Sequence, residues 1–501
     1  MDKPAFHPAR SGQFRGSYFV ILQKLFSKTT NLFYRIVPSF IVMMRIIAFI
    51  ILSIIAFPEG AYTQGLFEEA DPDGKGSPFR MNGYARGVLY TGTYESPSLP
   101  EIRSGYGEAA LKINAFSGMR GKLFSEIRFR SGYEYNEQIN QFQLREAYAD
   151  LYLGDFDLRV GQQIIAWGRA DGINPTNNLT PQDYFVRSPE PDDIRMGNFL
   201  VRGRYTIKSR IRLEGIWVPV YRQSVYRFDL FDMPDFVNFT DTYSPEATFR
   251  NGSFAGKVEF LFDRFDGSLS WFSGYDPMHG IEAGTLPGTP GENPAINLYA
   301  RPFRQQTGGL DFSFGLGSFG VRGEAAYREP DAAYKGEIFV PNRDLRYVLG
   351  IDRSFGVFSM MVMYSGQYIF DFEEMKMLES FPEIEPEILQ QPAVWGMLGP
   401  VMDQQLAGFN RVIFDQTKEI MHSLAARPAV SLFHDVMDLE VFGLYNFSTK
   451  EWTLLPRLSW SVSDNLKLGI GGQYFEGPPN TRYDLIAPVF NGGFMELRYT
   501  F

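Results

Sequence analysis

The 501-residue chain carries 48 basic and 58 acidic residues, 49 Gly, 46 Phe, 27 Tyr, four His and no Cys. The missing Cys excludes disulfide scaffolds, thiolate metal sites and cysteine nucleophiles, and four His argue against a histidine-rich metal centre. A formal charge of −10 argues against a nucleic-acid binder, and so much Gly and aromatic residue is not a helical composition.

Residues 1–64 read as a leader. Arg45 precedes an apolar run from Ile46 to Phe57, followed by Pro58-Glu59-Gly60 and the polar stretch Ala61-Tyr62-Thr63-Gln64-Gly65. A positive residue, about a dozen apolar residues and a small-residue exit are the parts of a secretory signal peptide. A membrane-spanning helix needs about 20 apolar residues, and extending this run backwards would enclose Pro38 and Arg45. Met43 and Met44 stand where a signal peptide would begin, so residues 1–42 read as an over-called start or an extension. Cleavage is expected within Thr63–Gly65. The leader's seven basic and two acidic residues take the chain from −10 to −15 on removal. Residues 65–79 then form a short periplasmic segment ahead of the folded part, 80–501.

From there the chain alternates with period two. Segments at 80–94, 104–116, 121–133, 142–154, 156–166, 197–208, 211–221, 252–263 and 266–275 read as strands. A second set follows at 303–315, 318–328, 343–354, 357–369, 420–434, 439–448, 452–463, 465–476 and 491–501. In the segment 197–208, Phe199, Val201, Tyr205 and Ile207 share one face, and Arg202, Arg204, Thr206 and Lys208 the other. In a soluble sandwich the apolar face would be an internal core, but loop lengths argue otherwise. Turns such as Gly154-Asp155, Lys208-Ser209 and Ser463-Asp464 alternate with long connections near 167–196, 222–251, 276–302 and 370–419. A sandwich has no reason to sort loops by length onto one side. The expected fold is therefore all-β: a transmembrane antiparallel barrel of about 18 strands, with short periplasmic turns and long extracellular loops.

Inward-facing charge would then line a pore. Glu126, Arg128 and Arg130 form one row, with Arg159 further on. Arg202, Arg204, Arg212 and Glu214 form another, Arg204 facing Glu214 across the hairpin. Lys257 with Glu259, Arg322 with Glu324, and Arg457, Glu496 and Arg498 complete the set. Mixed signs fit a lattice of lumenal salt bridges; the Arg excess on 197–221 keeps a charge-selective constriction open.

The most distinctive stretch runs from Arg159-Val160-Gly161-Gln162-Gln163 through Trp167-Gly168-Arg169-Ala170-Asp171-Gly172 to Ile173-Asn174-Pro175, with Pro181-Gln182-Asp183-Tyr184 behind it. It resembles a family of large porin-like outer-membrane proteins of uncharacterised function. These share a Gly-x-Gln…Trp-Gly strand end running into an Asn-Pro loop, and a closing strand ending in Phe. More distantly it is similar to the eighteen-stranded alginate-export porins. The resemblance implies a fold better than a substrate. Trp167 would sit in the interfacial aromatic belt. The loop either only shapes the barrel mouth or folds into the lumen, where Arg169, Asp171, Asn174 and Asp183 would form a constriction. The closing residues Tyr499 and Phe501 resemble the signal that such barrels present to the insertion machinery.

The connection 370–419 is acidic, with seven carboxylates and one Lys from Asp371 to Glu387. It reads as a solvated face, with a gating lid or divalent-cation site as the alternative, and 404–434 is open to a loop helix or an extra strand pair. His279, His422 and His434 adjoin no nucleophile motif, so neither an enzyme nor a cofactor is expected. The expected function is passive passage of a small polar solute, a carbohydrate or organic acid, through a charged lumen. A gated channel for a hydrophobic compound with periplasmic partners, or a plugged barrel used for surface binding, stays open. Expected partners are outer-membrane lipid, the insertion machinery and the solute; the oligomeric state is left open.

Overall fold

The computed structural model describes residues 79–92, 101–118, 120–170, 172–231, 237–240, 244–284, 296–375 and 392–501. The leader and the segment before Phe79 lie outside these residues.

The wall begins with β1 (Phe79–Gly92), β2 (Glu101–Ser117), β3 (Gly121–Glu134), β4 (Glu137–Leu153) and β5 (Phe156–Gln163). It continues with β6 (Asn198–Ile207), β7 (Ile211–Val218), β9 (Ser253–Phe262), β10 (Phe265–Tyr275), β13 (Arg304–Leu316) and β14 (Phe319–Pro330). The last seven wall strands are β15 (Asp344–Phe355), β16 (Phe358–Ile369), β17 (Ile420–Leu432), β18 (Met437–Asn446), β19 (Trp452–Ser461), β20 (Leu466–Glu476) and β21 (Gly492–Thr500). Each is antiparallel to the next, and β1 pairs with β21, so the 18 strands close into a barrel with no edge. The last residue completes the seam: Phe501 N–H donates to Gly83 O at 3.0 Å, and Gly83 N–H donates to Phe501 O at 2.8 Å.

Alternation places Phe129, Leu213, Leu269, Leu349 and Met495 outside, where they are exposed, and their charged neighbours inside. On β4 the outward apolar positions run from Leu153 to Phe142 before giving way to Asn140 and Gln138. About ten residues at roughly 3.3 Å each, tilted about 40°, cover the ~25 Å apolar height of a membrane barrel. At one end every connection is two to four residues long; at the other they run from two residues to the fifty of 370–419.

Two strand expectations change, and the long loops gain structure of their own. β4 starts at Glu137, five residues earlier than its pattern indicates, after a tight turn in which Tyr135 and Asn136 both have positive φ. Its upper half escaped the pattern because it rises past the apolar band, where both faces are polar. β5 stops at Gln163, because the chain there leaves the wall for the lumen. The long loops also hold a small sheet of β8 (Val237–Thr240), β11 (Gly280–Ala283) and β12 (Ile296–Arg301). The weak 404–434 region holds part of helix α1 (Pro392–Ile413), and a second helix, α2 (Arg482–Phe490), follows β20.

These loop elements build an apolar core of their own. Met402, Leu406, Phe409 and Ile413 recur at helical spacing on α1 and pack with Ile281, Ile296 and Phe303. Asn410 pins the helix to the loops: its amide donates to Ile281 O at 2.8 Å and Ile338 O at 3.1 Å, and its oxygen accepts from Ile281 N–H. His279 lies against this core with its ring edge-on to Tyr226. Burial holds it neutral, its pKa pushed down to about 4, and its Nδ1 has no partner among the described residues. A neutral buried His stabilises this cap fully above the unfolded pKa near 6.5, and that contribution is lost as pH falls from there towards 4. Acidification from pH 7.5 to 5 is therefore expected to increase protease cleavage in 276–284. His279→Phe should flatten the pH dependence; an unchanged acid sensitivity would remove His279 as its cause.

Candidate functional site

Where β5 ends, the chain turns inward. Ile164 N–H donates to Glu146 Oε1 at 2.8 Å, and Ile165 N–H to Thr180 Oγ1 at 3.2 Å. Trp167 is buried inside the barrel and not in the interfacial belt: its indole N–H donates to Glu214 Oε1 at 2.8 Å. Its ring packs with Ile165, Leu179, Leu200, Ile216 and Phe272, an apolar island within the lumen. The described residues of 164–197 cross the interior, and three groups of side chains fasten them.

The first is Glu324 on β14. Its Oε1 accepts from Thr176 N–H and Thr176 Oγ1, both at 2.7 Å. Its Oε2 accepts from Arg169 N–H at 3.2 Å and Ala170 N–H at 3.4 Å. Arg169 extends to Asp311 on β13 at 2.6 Å, and Ala170 rests on Val348, Met361, Met363 and Ala425 of the far wall. Gly168 has φ +104°, and a Cβ there would press into the Glu324 carboxylate. Gly172 has φ +88° but open space around it. Gly168→Ala is thus expected to free the loop, seen as faster proteolysis of 165–180, while Gly172→Ala carries only backbone strain. Equal effects of the two would show that φ, and not the carboxylate, sets the requirement.

The second fastening is Asp193. It meets Arg86 and Arg128, each at 2.8 Å, and Arg145 at 3.8 Å, and accepts from Ser188 Oγ at 2.5 Å. Burial opposes its ionisation, but Arg86 and Arg128, with the bonds from Ser188 and Arg128, hold its carboxyl far below the usual carboxylate range. Glu108 on β2 shares Arg86 (2.7 Å) and Arg130 (2.8 Å). Third, Arg187 donates to Val489 O at 2.5 Å, Gln473 Oε1 at 3.0 Å and Phe490 O at 3.4 Å, tying the loop to β20 and the end of α2.

The charged rows face the barrel interior, and their partners differ in part from those the register suggests. Glu126 pairs with Arg128 at 2.7 Å, and Lys257 with Glu259 at 2.8 Å. Arg159 meets Asp150 at 2.6 Å, and Arg212 meets Glu259 at 3.0 Å. Arg204 stands opposite Glu214 in register, yet Glu214 pairs with Arg202 while Arg204 faces Asp157 at 3.9 Å. Arg322 meets Asp352 at 2.5 Å and not Glu324, which the loop occupies. Arg457 and Arg498 reach Glu190 of the loop at 2.8 and 3.6 Å, and Glu496 reaches Arg86 at 3.5 Å.

Of the proposed constriction residues, Arg169 takes part in the Glu324 fastening, and Asn174 O accepts the turn bond from Asn177 N–H at 3.1 Å. Asp183 accepts from the N–H groups of Phe185 and Val186 at 3.0 and 3.1 Å; burial raises its pKa. Asp171 lies outside the described residues, as do 376–391 of the acidic connection. Tyr499 faces outward on β21. His422 contacts Tyr364 on the outer face, and His434 sits in a short turn, both far in sequence from His279.

Arg86, Glu108, Arg145, Thr176, Arg187, Asp193 and Asp311 were not anticipated. Carrying the charged rows back onto β1 and β2 finds Arg86 opposite Glu108. The loop residues have no comparable signal, since their partners are remote in sequence.

A family model described as a protein of unknown function (DUF1302) matches residues 80–258, the part holding the first seven wall strands, the first half of the eighth and the inward loop. No curated protein matches the chain. Among solved structures, a BenF-like porin from Pseudomonas fluorescens Pf-5 is similar at TM-score 0.50 and 9% identity, over 84% of this chain and 98% of that one. The chain has a porin fold. Acinetobacter baumannii OccAB3 (TM-score 0.49, 9% identity, 84% and 99% covered) and Pseudomonas aeruginosa OpdL (0.46, 11%, 84% and 98%) are less alike.

Proposed function

We propose that this porin fold is an outer-membrane channel for passive passage of small polar solutes, narrowed by the segment 164–197. The observation that carries the reading is a closed barrel, apolar outside and charged inside, with one loop fastened across its lumen by Glu324, Asp193 and Arg187. An eighteen-strand barrel leaves an aqueous channel unless loops fill it, so the loop sets the bore. Nearly every inward Arg has a carboxylate partner, which favours a stiffened wall over a ring of one sign. A carbohydrate or organic acid suits such a lumen. Outer-membrane lipid would cover the apolar band, and Tyr499 and Phe501 would present the closing strand to the insertion machinery. A route for a hydrophobic compound draws on the Val348, Met361, Met363 and Ala425 patch, which the loop covers at Ala170.

Planar-bilayer recording from the folded chain tests the reading. Stable steps in plain salt, with a reversal potential reporting selectivity, are the expected result. A folded barrel that never conducts would shift the assignment to the plugged, surface-binding alternative.

A further inference from the structure

At the short-turn end of the wall, β1 to β5 turn cations and aromatic rings towards the lumen. Arg80 on β1 shares the inward parity of Arg86, and Lys122 and Phe124 on β3 share that of Glu126 and Arg128. Register sets Phe116 of β2 opposite Lys122, and Tyr148 of β4 opposite Phe124. Arg80 lies over Phe116, 5.6 Å from the ring centroid, and Lys122 lies 5.9 Å from the centroid of Phe116 and 5.5 Å from that of Phe124. Phe124 and Tyr148 meet with centroids 5.1 Å apart, and Arg159 covers the Tyr148 ring at 3.9 Å. A stripe of alternating cation and ring thus climbs from the short-turn rim to the foot of the inward loop.

The charges of this stripe are not balanced as they are higher in the lumen. Asp150 stands opposite Lys122 in register, but both its oxygens accept from Arg159, at 2.6 and 2.9 Å. Among the described residues, neither Lys122 nor Arg80 has a carboxylate within ion-pair reach; each rests on rings instead. A ring face attracts a cation without neutralising it, so two positive charges stay open to the lumen. Beside them lie Phe116, which is 38% exposed, and the half-buried Phe124. A sugar would leave both the charges and the rings unused. A small inorganic anion would leave the rings bare, and an apolar solute would strip water from the cations for nothing. A carboxylate on an aromatic body uses both features at once.

We propose that this stripe is a binding site for an aromatic carboxylate in passage, with Lys122 and Arg80 receiving the carboxylate and Phe116 and Phe124 packing against the ring. The proposal rests on the channel reading and narrows its solute to organic acids with an apolar body. Binding on an open wall, with water still around both cations, is weak, with a Kd of about a millimolar, as suits a site that the solute must leave again.

Calorimetric titration of the folded full chain with phenylacetate, gluconate and benzylammonium tests it, against a blank of detergent alone. Phenylacetate is expected to bind. Gluconate, which lacks the ring, and benzylammonium, which reverses the charge, are expected to bind roughly tenfold more weakly or less. Arg80→Met with Lys122→Met keeps apolar stems on the rings and removes the charge, and should weaken phenylacetate roughly tenfold or more. Lys122→Arg should keep the binding, which guards against a double variant that fails to fold. Phe116→Ser should weaken phenylacetate and leave gluconate unchanged. Gluconate binding as tight as that of phenylacetate, no phenylacetate binding by the folded parent, or unchanged binding by the folded double Met variant would overturn the proposal. A chain that conducts ions but ignores phenylacetate loses this site alone. One that binds phenylacetate but never conducts loses the channel reading alone.

Discussion

Replacing Glu324 with Ala is expected to raise single-channel conductance several-fold and to make 165–180 a ready protease target. The carboxylate accepts four bonds from one short stretch of loop, and each of its oxygens serves two donors. Bonds to a charged acceptor contribute about 1.5–3 kcal/mol each when buried, so losing the group outweighs what Ala170 gains by packing on the far wall. Truncation also strands the Thr176 N–H in the interior, which drives the loop out instead of leaving it in place. Glu324→Gln separates charge from geometry. Its amide oxygen can still accept from Thr176, but its nitrogen would confront the N–H groups of Arg169 and Ala170, giving a smaller rise with flickering current. Conductance and protease pattern unchanged in Glu324→Ala would show that Asp193 and Arg187 hold the loop alone.

Asp193→Asn is expected to shift the reversal potential towards anions and lower the barrel's resistance to denaturant. Its carboxylate balances Arg86 and Arg128, whose side chains are nearly inaccessible. Breaking a buried pair by removing one partner costs about 3–5 kcal/mol, because the remaining charge stays desolvated. Asn keeps an acceptor for Ser188 but not the charge, so Arg86 and Arg128, left with Glu108 and Glu126, attract water or a mobile anion in its place. The lowered pKa makes this fastening insensitive to ordinary acidity: its stability is present above the unfolded pKa near 4 and is lost only below it. The cap around His279 should therefore loosen on acidification well before the loop does. An unchanged ion preference in Asp193→Asn would mean that the permeation path avoids this cluster.

The barrel was legible because lipid and lumen impose the same period on every strand. Lys208-Ser209 and Gly154-Asp155 mark turns by backbone chemistry alone; Lys208, Ser209 and Gly154 all have positive φ. Legibility failed where one solvent replaced two. The top of β4 meets water on both faces, so Gln138 to Gln143 show little alternation. Helix α1 was obscured by Gly399 and Pro400 within it, and its apolar stripe serves a cap made of other loops. The inward course of 164–197 was one of two readings of an unusual motif. Deciding between them needs Glu324 and Asp311, about 150 positions away, and no local pattern carries that information. Asn174-Pro175 opens a turn, as such a pair favours, whereas Trp167 was given a lipid-interface role on its strand-end position alone.

The pairing of β1 with β21 also bears on how the chain assembles. Every other wall contact joins consecutive strands, so most of the barrel can grow hairpin by hairpin with modest loop-closure entropy; the longest interval lies between β16 and β17. The seam from Gly83 to Phe501 is different, because it joins β1 to β21, the two wall strands furthest apart in the sequence. Until these two strands pair, the sheet has two open edges and a lumen exposed to solvent. Closure is then a single, late, long-range event, and the rate at which the barrel becomes protease-resistant should follow it.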